Sequence, residues 1–372
     1  MPVENTVVVY GGGMAGALLA KRLSADVQVT LVDPRDYFEV PMAAPRNLVE
    51  PAFAERATVP FAQALPGVKL VQGRLVEWQA AGGTVETAPG RTERVRGQVS
   101  VLATGSRFAN PLMRALSGTR SERLDFYRRY AERIRQSQRI LIVGGGPIGV
   151  ELAGEISSRH PQIAIALVES GTRLLRDTTE AAARHAASVL TRRGVEIVTG
   201  DRIERSDGPD EDPFSPAGVA LTRQGRRIPY DLRIWCTGGR PNTGFMQAHF
   251  AEALDADGRI RVTPQLRVQG QSALFALGDI ADLAENKMAW HVAGQVACAE
   301  VNVRRVLAGR LHDRDLQSYR PQTGNPAMAV TFGPNAGMVH LPRLGLITAN
   351  WLNRRIKAAH MLVPKYRKLL GI

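Results

Sequence analysis

Two glycine triplets carry the clearest chemistry in the sequence: Gly11, Gly13 and Gly16 form one GxGxxG, and Gly144, Gly146 and Gly149 form another. Each follows an apolar run, and each unit closes on a carboxylate, Asp33 in the first and Glu169 in the second. This arrangement suits a dinucleotide. The first glycine permits a tight turn, the second lets backbone approach a pyrophosphate, and the third lets helix pack on strand. The helix that follows presents its unpaired N–H groups to the phosphates. A carboxylate about 20 residues on accepts hydrogen bonds from a ribose 2′-hydroxyl. One such loop is weak evidence, because glycine-rich turns are common. Two matched units, each with its acid, predict two dinucleotides rather than one and an inert copy. Glu169 repels a 2′-phosphate and so favours NADH over NADPH, although Arg173 is near enough to soften that preference.

Regular elements must hold these loops. Thr6–Tyr10 reads as a buried strand, Ala17–Ser24 as an amphipathic segment, and Val27–Val32 as a second strand ending in Asp33. Residues 139–169 repeat the plan, with a strand at Ile163–Val168 before Glu169. Two shorter repeats, VLATGS at 101–106 and IWCTGG at 234–239, are strands that run into a Thr-Gly pair. Leu274–Ile280 is a further strand with Gly278 and Asp279 at its carboxyl end, where α/β sheets bind ligands. The acidic, proline-rich stretch Ser206–Pro216 predicts an exposed loop. No His, Cys and Asp cluster has metal-ligand spacing and no nucleophile elbow is present, so no metal site is expected.

At 372 residues the chain has room for two or three domains. Apolar residues make up 44% and charged residues 22%, which excludes a disordered chain. No uninterrupted apolar run approaches the roughly 20 residues that cross a bilayer. The N-terminus lacks the basic and apolar regions of a secretory signal. Cys236 and Cys298 are the only cysteines and lie far apart, which excludes a disulfide framework and a CxxC redox pair. The expectation is a cytoplasmic protein, not secreted, free or peripheral on a membrane. Net charge is +13, and its distribution is uneven: after Asp315 there is no acid, yet eight cations follow. Such a tail attracts phosphate, on lipid headgroups or on nucleic acid.

The ordered set of first GxGxxG, ATG at 103–105, GxGxxGxE at 144–151, CTG at 236–238 and GD at 278–279 resembles the two-dinucleotide-domain flavoproteins typified by glutathione reductase. Within that superfamily, Gly144–Glu151, Asn286–Trp290 and the basic ending Lys365–Gly371 are similar to the apoptosis-inducing-factor-like quinone reductases. Ferroptosis suppressor proteins belong to that group, and type II NADH dehydrogenases are its neighbours. The resemblance implies an FAD-dependent oxidoreductase that passes hydride from NAD(P)H to flavin and then two electrons to a quinone-type acceptor. It also implies an α/β fold of two Rossmann-like dinucleotide-binding domains, glutathione-reductase-like, plus a small C-terminal region. The FAD domain is expected to be discontinuous, 1–107 and 236–305, with the NAD(P)H domain at 108–235 and the C-terminal region at 306–372.

Residue by residue, the resemblance gives Gly11, Gly13, Met14, Ala15, Gly16 and Asp33 to the ADP half of FAD. Thr104 and Gly105 would line the same site, and Gly278 and Asp279 would meet the ribityl chain. Gly144, Gly146, Ile148, Gly149, Glu169 and Gly238 would hold NADH, with NADPH as the other candidate. Met288 and Ala289 would open a helix aimed at the flavin pyrimidine edge, where reduced flavin carries negative charge. Lys287 either adds to that positive end or is a solvated lysine at a helix start. Glu151 would stand near nicotinamide and flavin as an orienting or proton-relaying catalytic group; alternatively, the helix N-terminus simply stabilises its charge. Glu155 reads as a packing or hydrogen-bonding partner, and His291 as structural. Superfamily disulfide reductases keep redox cysteines beside the flavin; neither cysteine here has that position, so electrons leave the flavin directly.

Residues 347–363 suit a helix, with Ile347, Trp351, Leu352, Ile356, Ala359 and Val363 on an apolar sector. Asn353, Arg354, Lys357 and His360 gather opposite, and Pro364 would end the segment. This helix either covers its own core or lies on an anionic membrane surface, which residues 343–372 would contact. The acid-free stretch Pro321–Pro342 is the candidate acceptor pocket. Two other readings compete: a ferredoxin or rubredoxin reductase with a small acidic protein as acceptor, and a nucleic-acid-binding flavoprotein. The tail holds no nucleic-acid recognition motif, which weighs against the last.

Overall fold

In the computed structural model, which describes residues 6–80, 82–108, 115, 118–204, 217–324 and 327–372, the first apolar run is strand β1 (Thr6–Tyr10). Helix α1 (Met14–Leu23) and strand β2 (Gln28–Asp33) follow, starting and ending within a few residues of where the sequence pattern puts them. Strands β3 (Lys69–Gln72) and β4 (Val99–Leu102) extend the same sheet. Helix α2 (Arg120–Gln136) then leads into a second unit built from β5 (Arg139–Val143), helix α3 (Pro147–Arg159), β6 (Ala164–Glu169), helix α4 (Glu180–Arg192), β7 (Glu196–Thr199) and β8 (Leu232–Trp235). The chain next returns to the first sheet as β9 (Leu274–Ala276).

Both sheets are parallel. The first has the order β9-β4-β1-β2-β3 and the second β7-β6-β5-β8. Strands covered on both faces must be apolar throughout. Val7, Val9, Leu31, Val101 and Phe275 pack one side of the first sheet, while Val8, Tyr10, Val32 and Leu102 pack the other. Helix α5 (Ala289–Leu307) lies on the first sheet beside α1, burying Val292, Val296, Ala299 and Val303.

The C-terminal region is a three-stranded antiparallel sheet, β10 (Met328–Thr331), β11 (Gly337–Leu341) and β12 (Gly345–Ile347). It docks closely on α3: a Cβ added at Gly154 would sit 2.6 Å from the Phe332 Cα.

Residues 347–363 do not form the single helix that their periodicity suggests. Residue 347 ends β12, a short helix covers Asn350–Asn353, and a wider π-turn covers Arg354–Ala358. Met361 and Leu362 are left-handed, with φ of 47° and 62°. The expected faces hold for buried Val363 and exposed Arg354 but not for Trp351, Asn353 and Lys357. Trp351 is 72% exposed, whereas Asn353 and Lys357 are buried at 2% and 7%. The reason is local partnership: Asn353 donates to the Gly337 carbonyl at 2.6 Å, and Lys357 meets a carboxylate on α3. Pro364 opens helix α6 (Val363–Leu370) instead of ending a helix, as a first-turn position needs no N–H donor. Among the described residues, no helix is long and apolar enough to cross a membrane. The expected loop at 206–216 lies outside the described residues.

Candidate functional site

A cavity of about 2100 Å³ runs along the carboxyl ends of both parallel sheets. That is at least twice the usual size of a small-molecule site and leaves room for two dinucleotides. Three helix N-termini line it: Gly13, Met14 and Ala15 at α1, Gly146 and Ile148 at α3, and Met288 and Ala289 at α5. None of the three has a side-chain cap or an acidic residue in its first turn. By contrast, α2 and α4, away from the loops, carry threonine caps at Thr119 and Thr179. Uncapped N-termini keep N–H donors and partial positive charge for an anion.

The first loop is shaped by two glycines that do not themselves line the cavity. Gly11 has φ +109°, and a Cβ there would lie 2.3 Å from the Ala103 carbonyl oxygen. A Cβ at Gly16 would lie 1.8 Å from the Gly11 carbonyl oxygen. Gly144, with φ +112°, and Gly149, whose Cβ would sit 1.9 Å from the Gly144 carbonyl oxygen, repeat this in the second loop. At Gly146 and Gly238, both in the cavity lining, an added Cβ meets nothing within 4 Å; there the space is open for a ligand to approach backbone.

Besides Gly11 and Gly16, Asp33 and Thr104 of the first unit do not line the cavity. Asp33 is 2% exposed and accepts the Gly12 N–H at 2.6 Å. It also pairs with Arg35, whose Nε and Nη2 reach its two oxygens at 2.8 and 3.0 Å. Arg35, which the sequence reading passed over, is the cavity-lining member of the pair; its signal was a cation two residues beyond the acid. Burial disfavours the Arg35 charge, but Asp33 outweighs it and raises the guanidinium above its ordinary range. Thr104 gives its hydroxyl to the Asn242 carbonyl at 2.7 Å, and it is Ala103, Gly105 and Ser106 that line the cavity.

Glu169 is placed differently. It lines the cavity, half-buried, and accepts the Gly145 N–H at 2.6 Å and the Gly171 N–H at 2.7 Å. Arg173 is turned to other partners: its Nη2 donates to the Arg176 and Thr178 carbonyls at 2.8 and 2.9 Å. The expected softening of the acid by Arg173 is therefore not part of this geometry.

Gly278 and Asp279 line the cavity where β9 ends, and Asp279 accepts the Ser106 hydroxyl at 3.0 Å. Lys287 lines it too, but it is not a solvated lysine. Its ammonium donates to the Ala281 and Leu283 carbonyls at 2.8 and 3.2 Å, and burial lowers its pKa. His291 is buried, with Nε2 2.7 Å from Asn286 Oδ1 and Nδ1 3.3 Å from Glu285.

Glu151 is 5% exposed and lines the cavity. It accepts the Thr331 N–H at 2.9 Å and the Lys357 ammonium at 2.5 Å. Lys357 also donates to the Ala329 carbonyl at 3.0 Å and lines the cavity beside Met328, Val339 and Ile356. Sequence reasoning put Lys357 on a solvated face; only its partner, 206 residues away, shows its place. The pair can hold a proton or a positive charge against a bound acceptor.

The cysteines do no comparable work. Burial pushes the Cys236 thiol up to about 12 and Cys298 up to about 11, far from the thiolate that disulfide chemistry requires.

Similarity to known proteins agrees with this geometry. Residues 5–297 match the pyridine nucleotide-disulphide oxidoreductase family. The chain is 30% identical to ferroptosis suppressor protein 1 of Taeniopygia guttata over 371 residues, covering 98% of this chain and 95% of the relative. NDH2 of Plasmodium falciparum, solved in complex with NADH, superposes with a TM-score of 0.73 at 12% identity, covering 99% and 97% of the two chains. The sulfide:quinone oxidoreductase of Aquifex aeolicus gives 0.72 at 16% identity, covering 98% and 90%. With its two glycine loops, its parallel sheets and a profile match across most of its length, this chain belongs to the pyridine nucleotide-disulphide oxidoreductase family.

Proposed function

We propose that the protein is an FAD-dependent NAD(P)H:quinone oxidoreductase. One observation carries the reading: three uncapped helix N-termini, two of them on glycine loops, line a single cavity. When bound, FAD supplies the redox chemistry, taking hydride from NAD(P)H and passing two electrons to a quinone. Residues 1–107 and 236–305 form its domain. There Gly13, Met14 and Ala15 face the pyrophosphate, Asp279 meets the ribityl chain, and Met288 and Ala289 offer N–H groups to the pyrimidine edge. Asp33 acts indirectly, by fixing Gly12 and Arg35. Lys287 holds the 281–287 loop against that edge.

Residues 108–235 hold the nicotinamide nucleotide, with the Gly144–Gly149 loop on its pyrophosphate and Glu169 at the adenosine ribose. With Arg173 tied elsewhere, Glu169 favours NADH. The quinone belongs beside Glu151 and Lys357, where Met328, Val339, Leu341, Ile356 and Leu362 make an apolar wall. A protein acceptor such as ferredoxin has less use for such a wall. The NADH complex and the quinone enzyme among its structural neighbours support the same assignment.

The C-terminal segment also suits a peripheral membrane contact. Leu344 and Trp351 are each 72% exposed and Leu369 is 41% exposed, among the exposed cations Arg343, Arg354, Arg355, Lys365 and Lys368. Apolar insertion plus about 1 kcal/mol per cation near an anionic surface would hold the protein there. Purified protein should carry FAD and oxidise NADH only when a quinone is supplied. It should sediment with vesicles containing anionic lipid, and Leu344→Glu with Trp351→Glu should abolish sedimentation without changing activity on a soluble quinone. Absence of FAD, or NADH oxidation indifferent to quinone, contradicts the enzyme assignment.

A further inference from the structure

Helix α3 carries two buried carboxylates one turn apart, Glu151 and Glu155, and consecutive residues of the C-terminal segment reach both turns. Lys357 pairs with Glu151. The carbonyl of Ala358 accepts Arg46 Nη2 at 2.7 Å. The same Nη2 donates to Glu155 Oε1 at 2.7 Å, and Arg46 Nε donates to Oε2 at 2.9 Å. Arg46 is 1% exposed and Glu155 0%. Arg159 lies beside Glu155 at 3.8 Å and pairs with Glu50, so alternating charges bind the 44–50 segment to α3. Arg46 thus joins three stretches far apart in sequence, and its neighbour Pro45 lines the cavity.

We propose that Arg46 is a positioning residue for the acceptor half of the reaction, holding Ala358, and with it Lys357, level with Glu151 at the cavity wall. This rests on the quinone-reductase reading above. A lysine on four rotatable carbons is a point charge without fixed direction, whereas a guanidinium fork is planar and directional. The π-turn at Arg354–Ala358 departs from regular α geometry, so an outside clamp on its last carbonyl fixes what the turn alone does not. A displacement of about 1 Å at a reacting group costs on the order of 10²-fold in rate.

The test uses two variants of the flavin-loaded protein. Arg46→Lys keeps the charge and loses the fork. Arg46→Met with Glu155→Met replaces the buried pair by apolar side chains, a change that folds commonly tolerate. Acetylation by an amine-reactive ester, read lysine by lysine in a mass spectrometer, should rise at least about tenfold at Lys357 in both variants and stay unchanged at exposed Lys69. Reoxidation of the reduced enzyme by a short-chain quinone should slow by about 10- to 100-fold, while reduction by NADH changes less than about twofold. In a Lys357→Met background, Arg46→Lys should add less than about twofold, because one interaction has already been removed. Unchanged labelling of Lys357, or effects of the two substitutions that multiply independently, overturns the proposal. A wild-type enzyme that no quinone reoxidises contradicts the assigned function instead, and the labelling still judges the clamp.

Discussion

The two glycine-loop units share a plan and spend their terminal acids in opposite ways. In the first, Asp33 is buried, saturated by Arg35 and the Gly12 N–H, and does not line the cavity. In the second, Glu169 lines the cavity and, among the described residues, is held by backbone N–H groups and a serine hydroxyl. The first loop is therefore built around an internal ion pair, and the second leaves its acid where a ligand can reach it. That difference suits a cofactor that stays and a nucleotide that comes and goes. The same loop geometry serves residence or exchange, depending on where one carboxylate is placed.

The largest expected effect comes from breaking the first acid's pairing. Arg35→Met takes the guanidinium fork from the buried Asp33 carboxylate, and should cost about 3–5 kcal/mol in urea unfolding and empty the protein of flavin. The matched change, Arg173→Met, removes only two bonds to carbonyls and should cost about 1 kcal/mol. Equal losses would erase the contrast.

Next come the glycines that the units share. Gly16→Ala and Gly149→Ala each force a Cβ against a carbonyl oxygen and should cost about 1–3 kcal/mol each. Gly16→Ala should lower flavin content, and Gly149→Ala should raise the NADH KM with flavin retained. A smaller effect, confined to the exchangeable nucleotide, is expected for Glu169→Gln: NADH KM up about tenfold, NADPH affected less, flavin content and stability unchanged. Loss of flavin from this variant would assign the loops the other way round. Smallest of all should be the thiol response. Because burial holds Cys236 near 12 and Cys298 near 11, both stay protonated below pH 9, and native protein should resist iodoacetamide at pH 8. Rapid alkylation would put a thiolate back beside the cavity.

What was legible in the sequence was what neighbours in the chain decide. Apolar strands, positive-φ glycines and helix starts are local, and β1, β2, β5 and β6 follow their patterns to within a residue or two. What failed were side chains whose partners lie far away. Lys357 and Asn353 look solvated by composition, yet Glu151 and the Gly337 carbonyl bury them, which moves both off the face their periodicity gives them. Arg46 gave no signal at all, since a buried arginine resembles a surface one until its carboxylate is found. The partner of Thr104 was equally invisible: its hydroxyl donates to the carbonyl of Asn242, 138 residues away.

The central claim is that one cavity couples a nicotinamide nucleotide to a quinone through bound flavin. Its most direct test is anaerobic stopped-flow of the purified protein, following flavin absorbance as NADH and then a short-chain quinone are mixed in. Fast bleaching by NADH, with NADPH slower, followed by fast recovery on quinone, is the predicted result. Bleaching without recovery would contradict the quinone assignment, and no bleaching by either nucleotide would contradict the account as a whole.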